Sequence, residues 1–238
     1  MSKIYAVSDI HASISKYLKQ EPKNARHIFI LGDMFDKGYE QEETMLWLLD
    51  NIKNPKYTFL FGNHDVKMFV DVYWLLNKTK LKDYGMGNFT HHKDVIRKKN
   101  VAAKAVLRLM KKKQVSYYDI YRKLLPSFRW VTTYKSKKYT YIMTHASWEI
   151  NKKIKAQNKY NLVFDKDKLV TRIIKEKPNV VRYAELCNKY KIKHIFGHYV
   201  CSGIFSKEAP VSFFNGVFNY IDNGGNTKKH NFYFMELE

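Results

Sequence analysis

The stretch FILGDMFDKGYE, residues 29–40, places two aspartates directly after a short apolar run. The run ends in a glycine, Asp33 and Asp36 follow three residues apart, and Lys37 precedes a second glycine. A short, continuous apolar run bounded by glycine is typical of a strand that is buried on both faces. In sheets of parallel strands, the loops at the carboxyl ends of the strands build the functional site. The stretch therefore predicts a site at this edge of a sheet.

Four other polar motifs follow apolar runs in the same way. Because apolar runs alternate with segments of helical pattern, we predict an α/β fold whose parallel strands bring these motifs to one edge. Carboxylate, imidazole and amide groups form a ligand set for two divalent metals such as Mn²⁺, Fe or Zn²⁺. Two such ions can clamp a phosphoryl group for in-line displacement. The four motifs are SDIH at 8–11, GNHD at 62–65, THAS at 144–147 and GHY at 197–199.

Each motif taken alone also fits a bland interpretation. A single Asp-x-His or Gly-Asn-His sequence is more often a turn than a metal site, and a lone histidine near a strand end is usually a partly buried structural residue. The ordered set, with every member at a strand end, favours the metal site. We give the structural interpretation to the remaining histidines, which are His27, His91, His92, His194 and His230.

The composition indicates one globular chain. With 238 residues, 45% of them hydrophobic, we predict a single domain spanning 1–238. No apolar run approaches the roughly 20 residues that span a bilayer, so we expect no membrane association. The N-terminus leads directly into a strand-like run, and the two cysteines, Cys187 and Cys201, lack CxxC spacing. We therefore expect reduced thiols and a cytoplasmic protein.

The net charge of +21 is concentrated in one segment. Residues 66–135 carry 17 Lys or Arg and 4 Asp, a net charge of +13, and their pattern predicts a basic helical insertion. This segment could attract nucleic acid or another polyanion near the site mouth. Only seven of the 43 basic residues are arginine, so coding bias and a solvated helical face explain the charge equally well.

The ordered motifs resemble those of the calcineurin-like metallophosphoesterases. GD-x-x-D-[RK]-G followed by GNH, HA and GH is similar to the PPP-type phosphatases, including their bacterial and phage members. The resemblance runs from Asp9 to NYIDNGG at 219–225, and it implies two packed mixed β-sheets flanked by helices. Asp65 and Tyr199 replace the commoner glutamate and threonine of these motifs, and neither position is expected to bind metal.

The resemblance implies a dinuclear metal centre. Mn²⁺ is the expected ion, with Fe or Zn²⁺ as alternatives. Asn63 is also expected to contact the substrate. The implied ligands are Asp9 and His11 for the first ion, Asp33 for both ions, and Asn63, His145 and His198 for the second.

The resemblance also implies catalytic roles. His64 would protonate the leaving oxygen, and Asp36 would hold the ring of His64 in orientation. Lys37 stands where arginine is usual, and an ammonium cannot bind two phosphoryl oxygens bidentately. A second phosphate-binding arginine is expected between the last two histidines. Arg172 fits that spacing best, and Arg182 is the alternative.

The leading functional hypothesis is a phosphomonoesterase of the Ser/Thr protein phosphatase type, in which a metal-bridging hydroxide attacks phosphorus directly. The same ligands would serve a symmetrical diadenosine tetraphosphate hydrolase, or a phosphatase or phosphodiesterase that acts on nucleic acid. An inactive, polyanion-binding scaffold is a non-enzymatic alternative, and the presence of all six ligands and His64 argues against it. The basic insertion adds a small preference for nucleotides or nucleic-acid ends through its aromatic residues. These are Tyr73, Trp74, Tyr84, Tyr117, Tyr118 and Tyr121.

Overall fold

The computed structural model describes residues 2–78, 100–150, 152–153, 157, 159–164 and 168–238, in which strands alternate with helices. A π-helical segment (Asp119–Leu124) and a 3₁₀ turn (Leu125–Ser127) precede the fourth strand. The strands are β1 (Lys3–Val7), β2 (Ala25–Ile30), β3 (Tyr57–Phe59), β4 (Thr132–Lys135), β5 (Thr140–Thr144), β6 (Ile192–Phe196), β7 (Val211–Phe213), β8 (Phe218–Tyr220) and β9 (Met235–Glu236). The α-helices are α1 (Ile14–Gln20), α2 (Gln41–Asn51), α3 (Asn63–Asn77), α4 (Val101–Lys111), α5 (Lys159–Phe164), α6 (Leu169–Ile174), α7 (Pro178–Lys189) and α8 (Cys201–Ile204).

The described strands form two mixed sheets, as the resemblance implies. The first has the order β3-β2-β1-β9, and the second has the order β4-β5-β6-β8-β7. In the first sheet β1, β2 and β3 are parallel, whereas β9 is antiparallel to β1. In the second sheet β5, β6 and β8 are parallel, with antiparallel β4 and β7 at the edges. The carboxyl ends of the central strands of each sheet are therefore free to carry site loops.

The two sheets pack face to face with helices outside. Along β1, Ile4 and Ala6 belong to the core between the sheets, whereas Tyr5 and Val7 belong to the core under the helices. Successive side chains of a strand point to opposite faces, so this alternation shows that both faces of β1 are covered. The continuous apolar runs predicted as doubly buried strands are thus explained.

The helices of the basic segment share the core of the first sheet. Val66 and Phe69 of α3, Val106 of α4 and Leu124 of the π-helical segment are buried in the same cluster as Tyr5. This shared core supports the single-domain interpretation, which stays a prediction. The helical part ends at the 3₁₀ turn, because the last four residues of the predicted insertion form β4. Residues 79–99, with Tyr84, lie outside the described residues.

The aromatic residues of this segment mainly contact each other. Tyr121 is buried, donates its hydroxyl to the carbonyl of Phe69 at 2.8 Å, and lies against Tyr73 and Tyr117 with ring centroids 5.4 and 4.6 Å away. Such packing makes Tyr121 part of the core, and it leaves Tyr118 as the most exposed of the described tyrosines here.

Two predicted elements differ from those observed. The C-terminal apolar run at 230–237 contributes only Met235–Glu236 to the first sheet. The helical section predicted at 165–190 is interrupted before Pro178, which begins α7 because its fixed φ suits the first helical turn. Cys187 and Cys201 are buried and unpaired. Within the described residues, the helices are too short or too polar to cross a bilayer.

Candidate dinuclear metal centre

The predicted ligands lie at the carboxyl ends of strands from both sheets. β1, β2 and β3 lead to the first group of ligands, and β5 and β6 lead to the second. The backbone N–H of His198, from the second sheet, donates to Asp9 Oδ2 of the first sheet at 2.8 Å. The structure therefore brings together loops that are as much as 189 residues apart in the chain.

Asp33 lies between two groups of potential ligands. Its Oδ2 is 3.6 Å from His11 Nε2, and its Oδ1 is 3.5 Å from His145 Nε2. The first group contains His11, Asp33 and His64, and the second contains Asp33, His145 and His198. The two oxygens of one carboxylate thus face two different groups, which is the arrangement that a bridging ligand of two cations requires.

The second group is a cluster of acceptor atoms that lacks an evident proton. His145 donates Nδ1–H to the carbonyl of Leu31 at 2.7 Å, so its Nε2 presents a lone pair to the site. That Nε2 lies 3.1 Å from Asn63 Oδ1 and 3.1 Å from His198 Nδ1. Asn63 Oδ1 and His198 Nδ1 are also 3.1 Å apart. Three lone-pair atoms facing one another at this distance fit a bound cation.

The first group has the same character. His11 Nδ1 contacts the carbonyl of Phe35 at 3.0 Å, which directs Nε2 toward Asp9 Oδ1 at 3.5 Å. The Lys37 ammonium lies 2.9 Å from this Nε2, so a positive group already approaches the lone pair. Neutral imidazole nitrogens whose other nitrogen is fixed by a backbone carbonyl are the usual ligand form of histidine.

The buried carboxyl groups carry excess negative charge. Burial raises the pKa of Asp222, and the neighbouring charge of Asp9 raises it further. Burial likewise raises the pKa of Asp65, and Asp33 adds to the effect. Like charges brought together in a buried site favour bound cations, because a cation lowers the energy of both ionised groups.

The site loops adopt a conformation that most residues avoid. Asp9, His11, Asp33, Asp36 and His198 all have positive φ, between 46° and 69°. Each such non-glycine residue costs roughly 1–2 kcal/mol relative to the right-handed region. Clustering of this strain on the predicted site residues indicates that the surrounding hydrogen bonds hold the loops for function rather than for stability.

Two motif glycines are needed because the ligands approach the backbone closely. A Cβ on Gly62 would lie 2.1 Å from Asp33 Oδ1, and a Cβ on Gly197 would lie 2.5 Å from Asp9 Oδ2. Larger residues at either position would displace a carboxylate ligand. The glycines of the GNH and GHY motifs are therefore part of the metal site.

Comparison with known families decides the assignment. Residues 2–202 match the model of the calcineurin-like phosphoesterases, which is most of the chain. The chain belongs to the calcineurin-like phosphoesterase family. As a member of that family it is a metal-dependent phosphoric ester hydrolase, and the predicted resemblance is confirmed. No curated protein matches the sequence.

Solved structures show the same fold at low sequence identity. A protein described as a "putative diadenosine tetraphosphatase" is 13% identical, with a TM-score of 0.53 over 99% of this chain and 93% of the other. A metallophosphoesterase from Sphaerobacter thermophilus is 14% identical, with a TM-score of 0.44 over 100% of this chain and 88% of the other. A hypothetical protein from Pyrococcus horikoshii is 9% identical, with a TM-score of 0.43 over the same shares of the two chains.

The phosphoesterase site also contains the predicted acid and its partner. His64 Nδ1 lies 2.9 Å from Asp36 Oδ2, and His64 Nε2 lies 3.9 Å from Asp33 Oδ2. The Asp36–His64 pair is itself fixed, because the backbone N–H of Asp36 donates to Gln41 Oε1 at 3.0 Å. This geometry points Nε2 of His64 into the site, where a leaving oxygen would be protonated.

The structure does not bring all the predicted phosphate contacts to the site. Lys37 lies within it, beside His11. Arg172 is half-buried on α6 and Arg182 is exposed on α7, and among the described residues no hydrogen bond or ion pair joins either of them to the ligands. The role of Arg172 therefore stays a prediction.

Sequence reasoning missed two carboxyl groups of the phosphoesterase site. Asp65 accepts N–H groups from Asp33 and Gly62 on Oδ2 and from Met34 on Oδ1, at 2.8 to 2.9 Å. Asp222 accepts the N–H of Gly224 at 2.8 Å. Asp65 lies in GNHD and Asp222 in NYIDNGG, so their motif positions were the available signal.

Proposed function

We propose that the protein hydrolyses phosphate esters with two divalent ions, by direct attack of water at phosphorus. The observation that carries the proposal is the Asp33 carboxylate, whose two oxygens face the two ligand groups at 3.5 and 3.6 Å. A carboxylate in this position holds two cations close enough to act on one phosphoryl group.

The residues present fit two borderline divalent ions, for which Mn²⁺ is our first choice. When bound, the pair would supply a nucleophile at neutral pH and neutralise the charge on phosphorus. The proposed ligands are Asp9, His11 and Asp33 for one ion, and Asp33, Asn63, His145 and His198 for the other.

The chain's own residues supply orientation and one proton. The oxygen of water joins phosphorus while the bond from phosphorus to the leaving oxygen breaks. His64 donates its Nε2 proton to that oxygen, and water restores the proton through solvent. Asp36 holds the ring during the transfer. Lys37 and Asn63 are placed to contact the phosphoryl oxygens, and Arg172 is proposed as a further contact.

The substrate that we propose first is a phosphomonoester of the phosphoprotein type, in a cytoplasmic setting. Symmetrical diadenosine tetraphosphate is the second candidate, and a specific observation favours it, namely a basic groove that leaves the site. Contact of the insertion with nucleic acid is also a proposal, which the exposed lysines of α4 support.

The test is hydrolysis of p-nitrophenyl phosphate by metal-depleted protein to which Mn²⁺ is returned. We expect activity to depend on the metal and to fall at least a hundredfold in Asp33→Asn. Asp50→Asn is the matched control, because it removes the same charge from an exposed position on α2. Full activity of Asp33→Asn, with Mn²⁺ binding unchanged by calorimetry, would contradict the proposal.

A further inference from the structure

A cavity of about 560 Å³ adjoins the metal centre through one residue, Lys37. Lys37 contacts the ligand His11, and its side chain also lines the cavity. The opposite wall is the segment 226–230, with sequence NTKKH, which we name the basic loop. Any group attached to a phosphate at the metal centre can therefore extend along the basic loop.

A second cavity of about 240 Å³ continues the first. The two cavities share Asn226, Thr227 and Lys228, and the second ends beside Tyr39. The side chain of Tyr39 is 98% exposed, which is unusual for a large aromatic residue. Together the two cavities form a continuous groove from Lys37 to Tyr39.

The groove is positively charged. Lys228 and Lys229 are exposed, and no ion pair is found for either within the described part of the chain. Glu40 also lines the second cavity, but it accepts the backbone N–H of Ser15 at 2.8 Å. With Lys37, the groove presents three ammonium groups against one carboxylate, so it suits a ligand with several negative charges.

The basic loop is held in place by hydrogen bonds that lead back to the metal centre. The Lys16 ammonium donates to the carbonyl of Thr227 at 2.6 Å. The backbone N–H and hydroxyl of Thr227 both donate to the carbonyl of Gly224 at 2.9 Å. Gly224 in turn donates its N–H to Asp222, the carboxyl group beside Asp9. The positions of Lys228 and Lys229 are thus coupled to that of a metal ligand.

We infer that this groove binds the second and later phosphate groups of a nucleoside polyphosphate, with the base stacked on Tyr39. The inference rests on the proposed function, since the first phosphate must lie at the metal centre. Lys228 and Lys229 bind the phosphate chain as point charges, and the exposed ring offers a face to any base. A phosphopeptide has one phosphate, which Lys37 already meets, and it leaves both lysines and Tyr39 unused.

Three probes separate the parts of the groove. p-Nitrophenyl phosphate has one phosphate, inorganic tripolyphosphate has a phosphate chain without a base, and diadenosine tetraphosphate has both. A singly phosphorylated peptide is the fourth probe. All four are measured as kcat/KM in one Mn²⁺ buffer at fixed ionic strength, because charge attraction depends on salt.

The first variant is Lys228→Ala/Lys229→Ala. We expect the ratio of kcat/KM on tripolyphosphate to that on p-nitrophenyl phosphate to fall about tenfold, with an equal fall for diadenosine tetraphosphate. Lys135→Ala/Lys137→Ala is the matched control, since it removes the same charge from two exposed positions at the β4–β5 turn. The control should leave both ratios within twofold.

The second variant is Tyr39→Ala, with Tyr190→Ala as the control for loss of an exposed tyrosine. Loss of stacking should lower kcat/KM on diadenosine tetraphosphate about tenfold relative to tripolyphosphate, whereas Tyr39→Phe should keep it. Circular dichroism of each variant shows whether it is folded.

The outcomes distinguish the two proposals. If the wild-type protein hydrolyses none of the probes with metal, the proposed function is wrong. If p-nitrophenyl phosphate is hydrolysed but the lysine pair changes no ratio beyond its control, the groove does not bind the phosphate chain. A higher kcat/KM on the phosphopeptide than on diadenosine tetraphosphate would also overturn the inference.

Discussion

Asp65 Oδ2 accepts a hydrogen bond of 2.8 Å from the backbone N–H of Asp33. A buried carboxylate outside both ligand groups thus positions the residue that faces both of them. Asp65 also accepts from Gly62, Met34 and Phe35, so it joins the loop after β2 to the start of α3. The strained backbone of Asp33 is held by this contact.

Asp65→Asn is therefore expected to loosen the loop. The amide nitrogen of Asn must face at least one backbone N–H, which leaves a buried donor unsatisfied and costs about 1–3 kcal/mol of unfolding free energy. Metal affinity should fall roughly tenfold to a hundredfold, as it does when groups that orient ligands are removed. Urea unfolding and Mn²⁺ calorimetry measure both effects. Asp50→Asn serves as control, and unchanged affinity would contradict the positioning role.

The Asp36–His64 pair predicts a dependence on the leaving group. His64→Ala should lower kcat by about 10²–10⁴ when the leaving oxygen is a poor one, because that oxygen needs its proton. The loss should be smaller for p-nitrophenyl phosphate than for phenyl phosphate. Asp36→Asn should give a weaker version of the same pattern, with metal affinity unchanged. An equal loss on both esters would exclude His64 as the acid.

The close approach of Gly197 to Asp9 predicts the effect of one methyl group. Gly197→Ala should displace the Asp9 carboxylate and lower Mn²⁺ affinity by roughly tenfold or more. Gly203→Ala is the matched control, since a Cβ there meets no atom within 4 Å. Calorimetry of the two variants decides the matter, because equal affinities would show that the backbone relaxes to accommodate the methyl group.

His194 predicts an acid sensitivity that is independent of the metal centre. Burial lowers the pKa of His194 to about 3, among Trp148, Phe196 and Phe218. Below pH 6.5 the unfolded chain binds a proton that the folded chain does not, so the free energy of unfolding decreases as the pH falls. From pH 7 to pH 5 this single group should cost about 2 kcal/mol.

The test compares urea unfolding of wild-type and His194→Gln protein at pH 7 and pH 5 in the presence of a chelator. Glutamine can still accept the hydroxyl of Tyr183, which lies 3.0 Å from His194 Nε2, but it does not titrate. We expect the variant to lose about 2 kcal/mol less stability than wild type over this interval. Equal losses would show that His194 does not contribute.

Much of the site follows from local sequence. Apolar runs that end in Asp, Asn or His predicted both the strands and the ligands, because a parallel strand buried on both faces has little freedom in composition. Asp36 and His64 could be paired only through the family resemblance, since 28 residues separate them. The predicted strand at 230–237 failed for the opposite reason, because only two of its residues find a partner on β1.

The sequence by itself determined the chemistry of this protein: which groups can bind metal, which can donate a proton, and that each follows a strand. The tertiary structure alone decided their relations. Asp33 faces two groups because two sheets meet there, Asp65 is a hub because α3 turns it toward the loop after β2, and the basic loop lines a groove because Lys16 and Asp222 hold it. Distances between residues far apart in the chain arise from packing, which no local pattern encodes.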